Sequence, residues 1–191
     1  MKIEIIDNGS IYISKLHHLL AGREIHKAPG KNSLIVHPAN GSVILSGGGG
    51  IPIVGNEGVF QSQMDLIKNT EIPLIGICLG AELIAYTYGV KLNYSKHRTK
   101  GLVKIYPVKQ HSIFAGISEY TVYENHKWAI PYLPDDFEIL AMSERGIEVF
   151  RHKKKPLFGL QFHPELIDGD NCGAQIFNNI LGLAEFVEKA K

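Results

Sequence analysis

The residues best suited to chemistry in this sequence begin with a cysteine set between two glycines. Gly76-Ile77-Cys78-Leu79-Gly80 follows an apolar run and precedes a helical pattern. A nucleophile at such a strand-to-helix turn projects from the end of the strand, and the glycines permit the sharp bend. The N-terminal end of the helix favours thiolate over thiol, and amide N–H groups beginning with that of Leu79 can bind an oxyanion. The pattern predicts a nucleophilic Cys78, with a small buried core cysteine as the alternative.

A histidine followed closely by a carboxylate could serve as the base that such a thiol requires. His163 and Glu165 stand in Gly159-Leu160-Gln161-Phe162-His163-Pro164-Glu165, directly after a strand pattern. The imidazole can take the thiol proton and return it to a leaving group, while the carboxylate fixes the tautomer. A hydrogen-bonded turn is the alternative. Cys172 has no histidine or basic residue beside it and is predicted to be a bystander.

Taken together, these patterns resemble the class I glutamine amidotransferases along the whole chain. The histidine segment follows 85 residues after Cys78, and Ser46-Gly47-Gly48 matches the glycine-rich loop that the family places beside its cysteine. The resemblance implies that Cys78 attacks the side-chain amide of glutamine, giving a glutamyl thioester and ammonia. It also implies that His163 is the general acid/base, that Glu165 orients it, and that the N–H groups of Gly48 and Leu79 form the oxyanion hole.

Within the family, the sequence is most similar to the stand-alone glutaminase subunits of archaeal-type GMP synthase. The similarity rests on Ile6-Asp7-Asn8-Gly9, Glu124-Asn125-His126-Lys127 and His152-Lys153-Lys154-Lys155-Pro156. It implies L-glutamine as substrate and an ATP-pyrophosphatase synthetase subunit, acting on XMP, as partner. ATP and Mg²⁺ would belong to that partner, and this subunit would hold no cofactor. The same similarity puts Asn125 and His126 on a loop that contacts substrate or partner.

Three departures from the family pattern leave other functions open. Glu82 stands where the family usually has glutamine; its carboxylate could pair with the substrate α-ammonium, and its charge could raise the pKa of the thiol. Gly49 and Gly50 replace a common proline, and Lys127-Trp128-Ala129 replaces an acidic pair. The alternatives are a glutaminase subunit of another biosynthetic amidotransferase, a γ-glutamyl cysteine hydrolase of the same fold, and a non-catalytic domain that kept the fold.

The elements that must position these residues alternate between strand and helix in the first half of the chain. Strands are predicted at residues 3–6, 24–27, 42–45 and 74–77, and helices after residue 10, at 58–69, after residue 80 and at 174–190. Five more strands, suggesting an antiparallel or mixed extension, are predicted at 101–107, 120–123, 138–142, 146–151 and 157–161. The order predicts one domain over residues 1–191: a doubly wound, flavodoxin-like, three-layer α/β fold with a mixed, mostly parallel sheet and the site at the strands' carboxyl ends.

Composition narrows the class of protein further. Twenty basic and nineteen acidic side chains give a net charge of +1, which argues against a nucleic-acid protein with a broad basic face; residues 96–100 are interpreted as a solvated basic turn. Two cysteines form no disulfide framework, and the histidines lack the spacing of a metal site. No apolar run approaches the roughly 18 residues of a membrane span. We therefore expect a cytoplasmic protein with reduced thiols, no metal and no membrane contact.

Overall fold

The computed structural model describes residues 2–31, 40–167 and 169–189. Ten strands lie within these ranges: β1 (Lys2–Asn8), β2 (Glu24–Pro29), β3 (Ser42–Gly48), β4 (Leu74–Ile77), β5 (Asn93–Lys104), β6 (Tyr106–Pro107), β7 (Thr121–Ala129), β8 (Phe137–Ser143), β9 (Gly146–His152) and β10 (Leu157–Leu160). Four α-helices accompany them: α1 (Ile13–Leu19), α2 (Gln61–Asn69), α3 (Leu79–Thr87) and α4 (Gly173–Lys189). A short 3-10 turn, Glu57–Phe60, leads into α2, so the helix predicted from residue 58 is divided. Ala190, the predicted last residue of the closing helix, lies outside the described residues.

The central sheet has eight strands in the order β2-β1-β3-β4-β10-β9-β8-β6. The first five are parallel to one another, and β9, β8 and β6 add an antiparallel edge. For the parallel strands this is the flavodoxin order, in which ligands bind beyond the carboxyl ends at the point where the chain reverses its direction across the sheet. The predicted fold class is confirmed.

Helices cover both faces of this sheet because each helix has one apolar face to bury. On one face, α1 and α4 pack their buried side chains against β1 and β4; on the other, α2 and α3 pack against β3 and β4. Burying one such aliphatic or aromatic side chain contributes about 1.5–3 kcal/mol. Buried residues typical of the two layers are Leu16, Phe177, Ile5 and Ile77 on the first face and Ile67, Leu83, Val43 and Leu74 on the second.

The β5–β7 pair differs from the prediction in three ways. These strands form a separate two-stranded antiparallel sheet and do not extend the central one. The predicted loop at Asn125 and His126 is wrong, because β7 continues through both residues to Ala129. Every second residue is buried from Val122 to His126. Two of these three, Glu124 and His126, are polar and pair with each other, so hydrophobic alternation did not reveal the strand beyond residue 123. The solvated turn predicted at residues 96–100 is likewise wrong, since they lie within β5.

Candidate active site

Cys78 occupies a strained turn between β4 and α3. Its φ of 50° is positive, which no other non-glycine residue within the described ranges shows, and such conformations persist at functional sites at about 1–3 kcal/mol each. Its amide donates to the Leu160 carbonyl at 2.7 Å. A Cβ on Gly80 would lie 2.3 Å from the Leu45 carbonyl oxygen, and one on Gly76 would lie 2.5 Å from the Gly80 carbonyl. The turn therefore closes only with glycine on each side, as the nucleophile-elbow prediction requires.

The predicted base and its orienting carboxylate lie beside this turn, in the segment that follows β10. Glu165 Oε1 is 2.9 Å from His163 Nδ1, and both side chains are buried. Nδ1–H donates to the carboxylate in this arrangement, leaving Nε2 free to act as a base. The position of a Cβ built on Gly47 is 3.0 Å from His163 Cε1 and 3.6 Å from Cys78 Cβ. The imidazole and the thiol thus flank the same glycine, and the structure brings the three predicted residues together.

The surroundings of Cys78 favour the neutral thiol over the thiolate. Burial raises the pKa of Cys78 well above its ordinary value, and the charges of Glu82 and Glu165 raise it further, while a hydrogen bond from the Leu79 amide lowers it. The expected preference for thiolate at the N-terminal end of α3 is therefore outweighed by burial. Because the raised pKa favours the thiol, a reaction through the Cys78 sulfur would need a base to accept its proton, the role predicted for His163.

A cavity of about 270 Å³ opens over the thiol. Ligand pockets for drug-sized molecules usually hold about 300–1,000 Å³, so this one suits a compact substrate such as a single amino acid. Its lining comes from the end of β3, the start of α3 and the β5–β7 pair. The lining residues are Gly48, Gly49, Gly50, Ile51, Pro52, Cys78, Leu79, Glu82, Tyr94, Arg98, Asn125, His126, Lys127 and Trp128.

Gly48 and Leu79, the predicted oxyanion donors, both line this cavity next to Cys78. A Cβ on Gly48 would lie 2.6 Å from the Asn8 carbonyl oxygen, so the glycine segment approaches β1 too closely for a side chain. The backbone N–H of Asn8 donates to Ser46 Oγ at 2.9 Å. The side chains of Asn8 and Gln63 exchange two hydrogen bonds, at 2.8 and 3.0 Å. This buried network fixes the glycine segment beside the thiol. Sequence reasoning missed Gln63, which lies in α2 far from every motif.

Glu82 lies one helical turn after Cys78 and is only 5% exposed. Gln161 Nε2 donates to Glu82 Oε1 at 3.0 Å. Burial raises the pKa of Glu82 to about 7, although the Gln161 hydrogen bond and the charges of His126 and His163 act in the opposite direction. Gln161 was not predicted as a site residue. Its position could have indicated this role, because Gln161 comes directly after β10 and two residues before His163.

Asn125, a predicted substrate-binding residue, lines the cavity, but its side-chain amide is engaged by other protein groups. Its Oδ1 accepts from Arg98 Nη1 at 2.8 Å, and its Nδ2 donates to the Tyr12 hydroxyl at 2.8 Å. The Tyr12 ring in turn meets the His163 ring edge-on, with centroids 5.0 Å apart. Asn125 therefore connects the wall of the cavity to the packing of the imidazole.

His126, the other predicted substrate contact on β7, has both ring nitrogens occupied. Nδ1 lies 2.6 Å from the Trp128 carbonyl and Nε2 lies 2.9 Å from Glu124 Oε2. Burial lowers the pKa of His126, but the hydrogen bond and charge of Glu124 outweigh it, and the net shift is upward. Glu148 faces the same carboxylate; burial and the charge of Glu124 raise the pKa of Glu148 well above its ordinary value. His126 thus lies buried beside two acidic side chains, Glu124 and Glu148, and substrate contact through its ring remains a prediction.

The remaining sequence predictions concern the second cysteine, metals and membranes. Cys172 is free and buried, burial raises its pKa, and it does not line the cavity. Across the three described ranges, no three side chains of histidine, cysteine, aspartate or glutamate are arranged to hold a metal ion. Of the helices in those ranges, none is long and apolar enough to cross a membrane.

The fold and the site define a flavodoxin-like α/β protein with a buried cysteine, histidine and glutamate at the carboxyl ends of its parallel strands. The chain belongs to the class I glutamine amidotransferase family: the family model described as "Glutamine amidotransferase class-I" matches residues 4–183. The resemblance inferred from the motifs is confirmed.

Similar proteins extend over nearly the whole chain. A curated relative from Methanocaldococcus jannaschii, named as a glutamine-hydrolyzing GMP synthase subunit, is 34% identical over 184 residues, covering 93% of this chain and 94% of its own. One from Thermoplasma acidophilum with the same name is 33% identical, covering 96% and 92%. The crystal structure of a putative GMP synthase subunit from Thermoplasma acidophilum superposes with a TM-score of 0.87 at 30% identity, covering 100% of this chain and 96% of that one.

Proposed function

We propose that this chain is the glutaminase subunit of a GMP synthase. It hydrolyses L-glutamine to glutamate and ammonia, and passes the ammonia to an ATP-pyrophosphatase subunit that converts XMP to GMP. The observation that carries the proposal is the placement of Cys78 and the His163–Glu165 pair around Gly47, in a chain about a third identical to proteins named as glutamine-hydrolyzing GMP synthase subunits. The proposal includes a cytoplasmic location in purine biosynthesis, with ATP and Mg²⁺ held by the partner and no cofactor here.

Acylation follows from the positions of the thiol and the imidazole. His163 Nε2 takes the proton from Cys78 Sγ while the sulfur attacks the Cδ carbon of the glutamine side chain, forming a C–S bond. The oxygen of the tetrahedral intermediate becomes negative and accepts hydrogen bonds from the amides of Gly48 and Leu79. The C–N bond then breaks, His163 returns the proton to the departing nitrogen, and ammonia leaves a glutamyl thioester on Cys78.

Deacylation repeats the sequence with water. His163 Nε2 takes a proton from a water molecule, whose oxygen attacks the thioester carbon. The C–S bond breaks, the sulfur recovers the proton from His163, and glutamate is released. Glu165 accepts from His163 Nδ1–H throughout and stabilises the imidazolium that forms in each half-reaction.

The head group of the substrate meets polar side chains from two parts of the cavity lining, the start of α3 and the strand β7. Glu82 is the carboxylate among the lining residues, and in its ionised form it pairs with the α-ammonium of glutamine. That pairing offsets the charge that otherwise raises the pKa of Cys78. Asn125 and His126 line the cavity from β7, with their side chains fixed by Arg98, Tyr12 and Glu124.

The test combines the full chain with the ATP-pyrophosphatase subunit of an archaeal GMP synthase, XMP, ATP and Mg²⁺. Wild-type protein should support GMP formation from either glutamine or an ammonium salt. Cys78→Ala should support it from the ammonium salt alone. If the wild type releases ammonia from glutamine but the synthetase forms no GMP from it, the assigned partner is wrong. If Cys78→Ala forms GMP from glutamine at the wild-type rate, the proposed chemistry is wrong.

A further inference from the structure

An irregular segment of β5 faces the cavity. Tyr94 pairs with Trp128 and Thr99 pairs with His126, so residues 95–98 of β5 stand opposite Lys127 alone. Bulges of this kind are frequent beside active sites, where they redirect a side chain that a regular strand would point elsewhere. The last residue of the bulge is Arg98, which lines the cavity over Cys78.

Arg98 lines two neighbouring cavities, which share Gly48, Gly49 and Asn125 as lining residues. It lines the 270 Å³ cavity over the thiol and a neighbouring one of about 210 Å³ that reaches His163. Its Nη1 donates to Asn125 Oδ1 at 2.8 Å, and Asn125 is itself held by the Tyr12 hydroxyl at 2.8 Å. A guanidinium has five N–H donors, and this hydrogen bond takes one of them. The exposed Arg98 guanidinium therefore lies at the edge of the site, with N–H donors available to a ligand.

The charges of the lining are complementary to a zwitterion. Glu82 stands on the side of the thiol, and the two permanent cations of the lining, Arg98 and Lys127, stand on the β5–β7 pair. Lys127 Nζ lies over the Tyr94 ring, 5.9 Å from its centroid. The polar atoms of Asn125 and His126 already bond to protein groups. Among these residues, Arg98 combines a charge, free donors and the planar geometry that carboxylates accept in two parallel hydrogen bonds.

We propose that Arg98 binds the α-carboxylate of glutamine and selects substrates that carry one. The inference rests on the proposed glutaminase function and names a residue outside the family motifs. In the bound state the α-carboxylate accepts two parallel hydrogen bonds from the Arg98 guanidinium, and the α-ammonium pairs with Glu82. The head group is then held at two points, and the side-chain amide carbon lies next to Cys78. A γ-amide without the carboxylate would lose one of the two attachments.

The experiment compares the rates at which Cys78 of the full chain is alkylated by three electrophiles. One is 6-diazo-5-oxo-L-norleucine, which carries the glutamine head group; the second is its α-amide, which lacks the carboxylate; the third is iodoacetamide, which reports thiol reactivity alone. Arg98→Ala should react about tenfold to a hundredfold more slowly with the first, the range expected for a lost hydrogen bond to a charged group. Its rates with the second and third should equal those of the wild type. Arg98→Lys, which keeps the charge but not the fork, should fall between.

Lys96→Ala is the matched control, because Lys96 is an exposed cation of the same bulge that lines neither cavity. It should leave all three rates unchanged. Arg98→Ala with wild-type preference for the carboxylate-bearing electrophile would overturn the role of Arg98 and leave the glutaminase proposal intact. Equal losses with all three electrophiles would also overturn it, since they would indicate a structural effect on Cys78. A wild-type Cys78 that ignores the norleucine reagent but reacts with iodoacetamide would overturn the proposed function itself.

Discussion

A buried acid beside Cys78 is the main departure of this site from the family pattern. Glu82 raises the pKa of Cys78 through its charge, and its own pKa is raised to about 7. The carboxyl therefore changes its charge near neutral pH, within one helical turn of the thiol. Glutamine at this position, as is usual in the family, would avoid both effects. The sequence was sufficient to predict that the charge of Glu82 raises the pKa of the thiol. That burial raises the pKa of Cys78 more than this charge does, and also raises the pKa of Glu82, only the structure reveals.

Replacing Glu82 by glutamine should stabilise the protein increasingly as pH rises. Because the pKa of Glu82 is about 7 in the folded state and 4.5 ordinarily, the folded state binds more protons than the unfolded state between these values, and wild-type stability falls with pH across that window. Above about pH 7 the difference is constant, at most about 3 kcal/mol. Denaturant unfolding of both proteins at several pH values measures the gain.

Glu119→Gln, at an exposed site, makes the same change in net charge and serves as the control. A gain for Glu82→Gln that is independent of pH between about 5 and 7, or a loss that grows with pH, would contradict the raised pKa. We further expect Glu82→Gln to retain glutamine hydrolysis, since the amide can keep a hydrogen bond with Gln161.

At the scale of elements, the sequence predicted those whose hydrophobic pattern is simple. β4 was predicted with its observed bounds, because Leu74–Ile77 is buried on both faces and flanked by Pro73 and the glycine turn. The segments that carry Cys78, His163 and Glu165 could be predicted as well, since each comes directly after a buried strand. Only the start of β7 was predicted, because its later buried positions carry the polar side chains of Glu124 and His126. The bulge in β5 could not be predicted, because it depends on the register with β7 and its residues are mostly exposed and polar. Arg98 and Tyr12 were missed because their contacts with the site, to Asn125 and His163, are made between residues far apart in the chain.

The elbow between β4 and α3 should be intolerant of a single methyl group. Gly80→Ala would place a Cβ 2.3 Å from the Leu45 carbonyl oxygen, and overpacking of this kind destabilises by about 1–3 kcal/mol. Gly182→Ala is the matched control: Gly182 lies within α4, and its Cβ would meet nothing within 4 Å. There we expect a gain of up to about 1 kcal/mol from helix propensity.

Thermal or urea unfolding of the two glycine variants beside the wild type provides the comparison. Gly80→Ala should also slow the alkylation of Cys78 by a glutamine analogue, because the helix and the thiol must shift together. Equal stability of the two variants would refute the close packing of α3 against β3.

For the whole molecule, the single-domain prediction depends on the β5–β7 pair, which forms its own sheet. Two backbone hydrogen bonds tie it to the body: the amides of His163 and Cys172 donate to the carbonyls of Tyr123 and Thr121, each at 2.8 Å. The chain's single tryptophan, Trp128, lies on β7 and reports on the pair. Tryptophan fluorescence and far-UV circular dichroism should therefore follow one coincident unfolding transition. A fluorescence transition at lower denaturant would mean that the pair unfolds separately.

The parallel strands bring to one edge of the sheet groups that are far apart in the chain. Gly48 ends β3, Cys78 follows β4 and His163 follows β10. A net charge of +1 is consistent with such a site, since a small zwitterion needs local charges rather than a strong overall field. The proposed reaction depends above all on these groups forming a glutamyl thioester on Cys78.

This thioester can be trapped by acid-quenching the protein during turnover of labelled glutamine, with the partner synthetase present, and mapping the label by peptide mass spectrometry. We predict a glutamyl group on the peptide containing Cys78, removable by hydroxylamine, and none on Cys172 or in Cys78→Ala. Continued ammonia release in Cys78→Ala, or turnover by the wild type with the label on another residue, would contradict a thioester mechanism at Cys78.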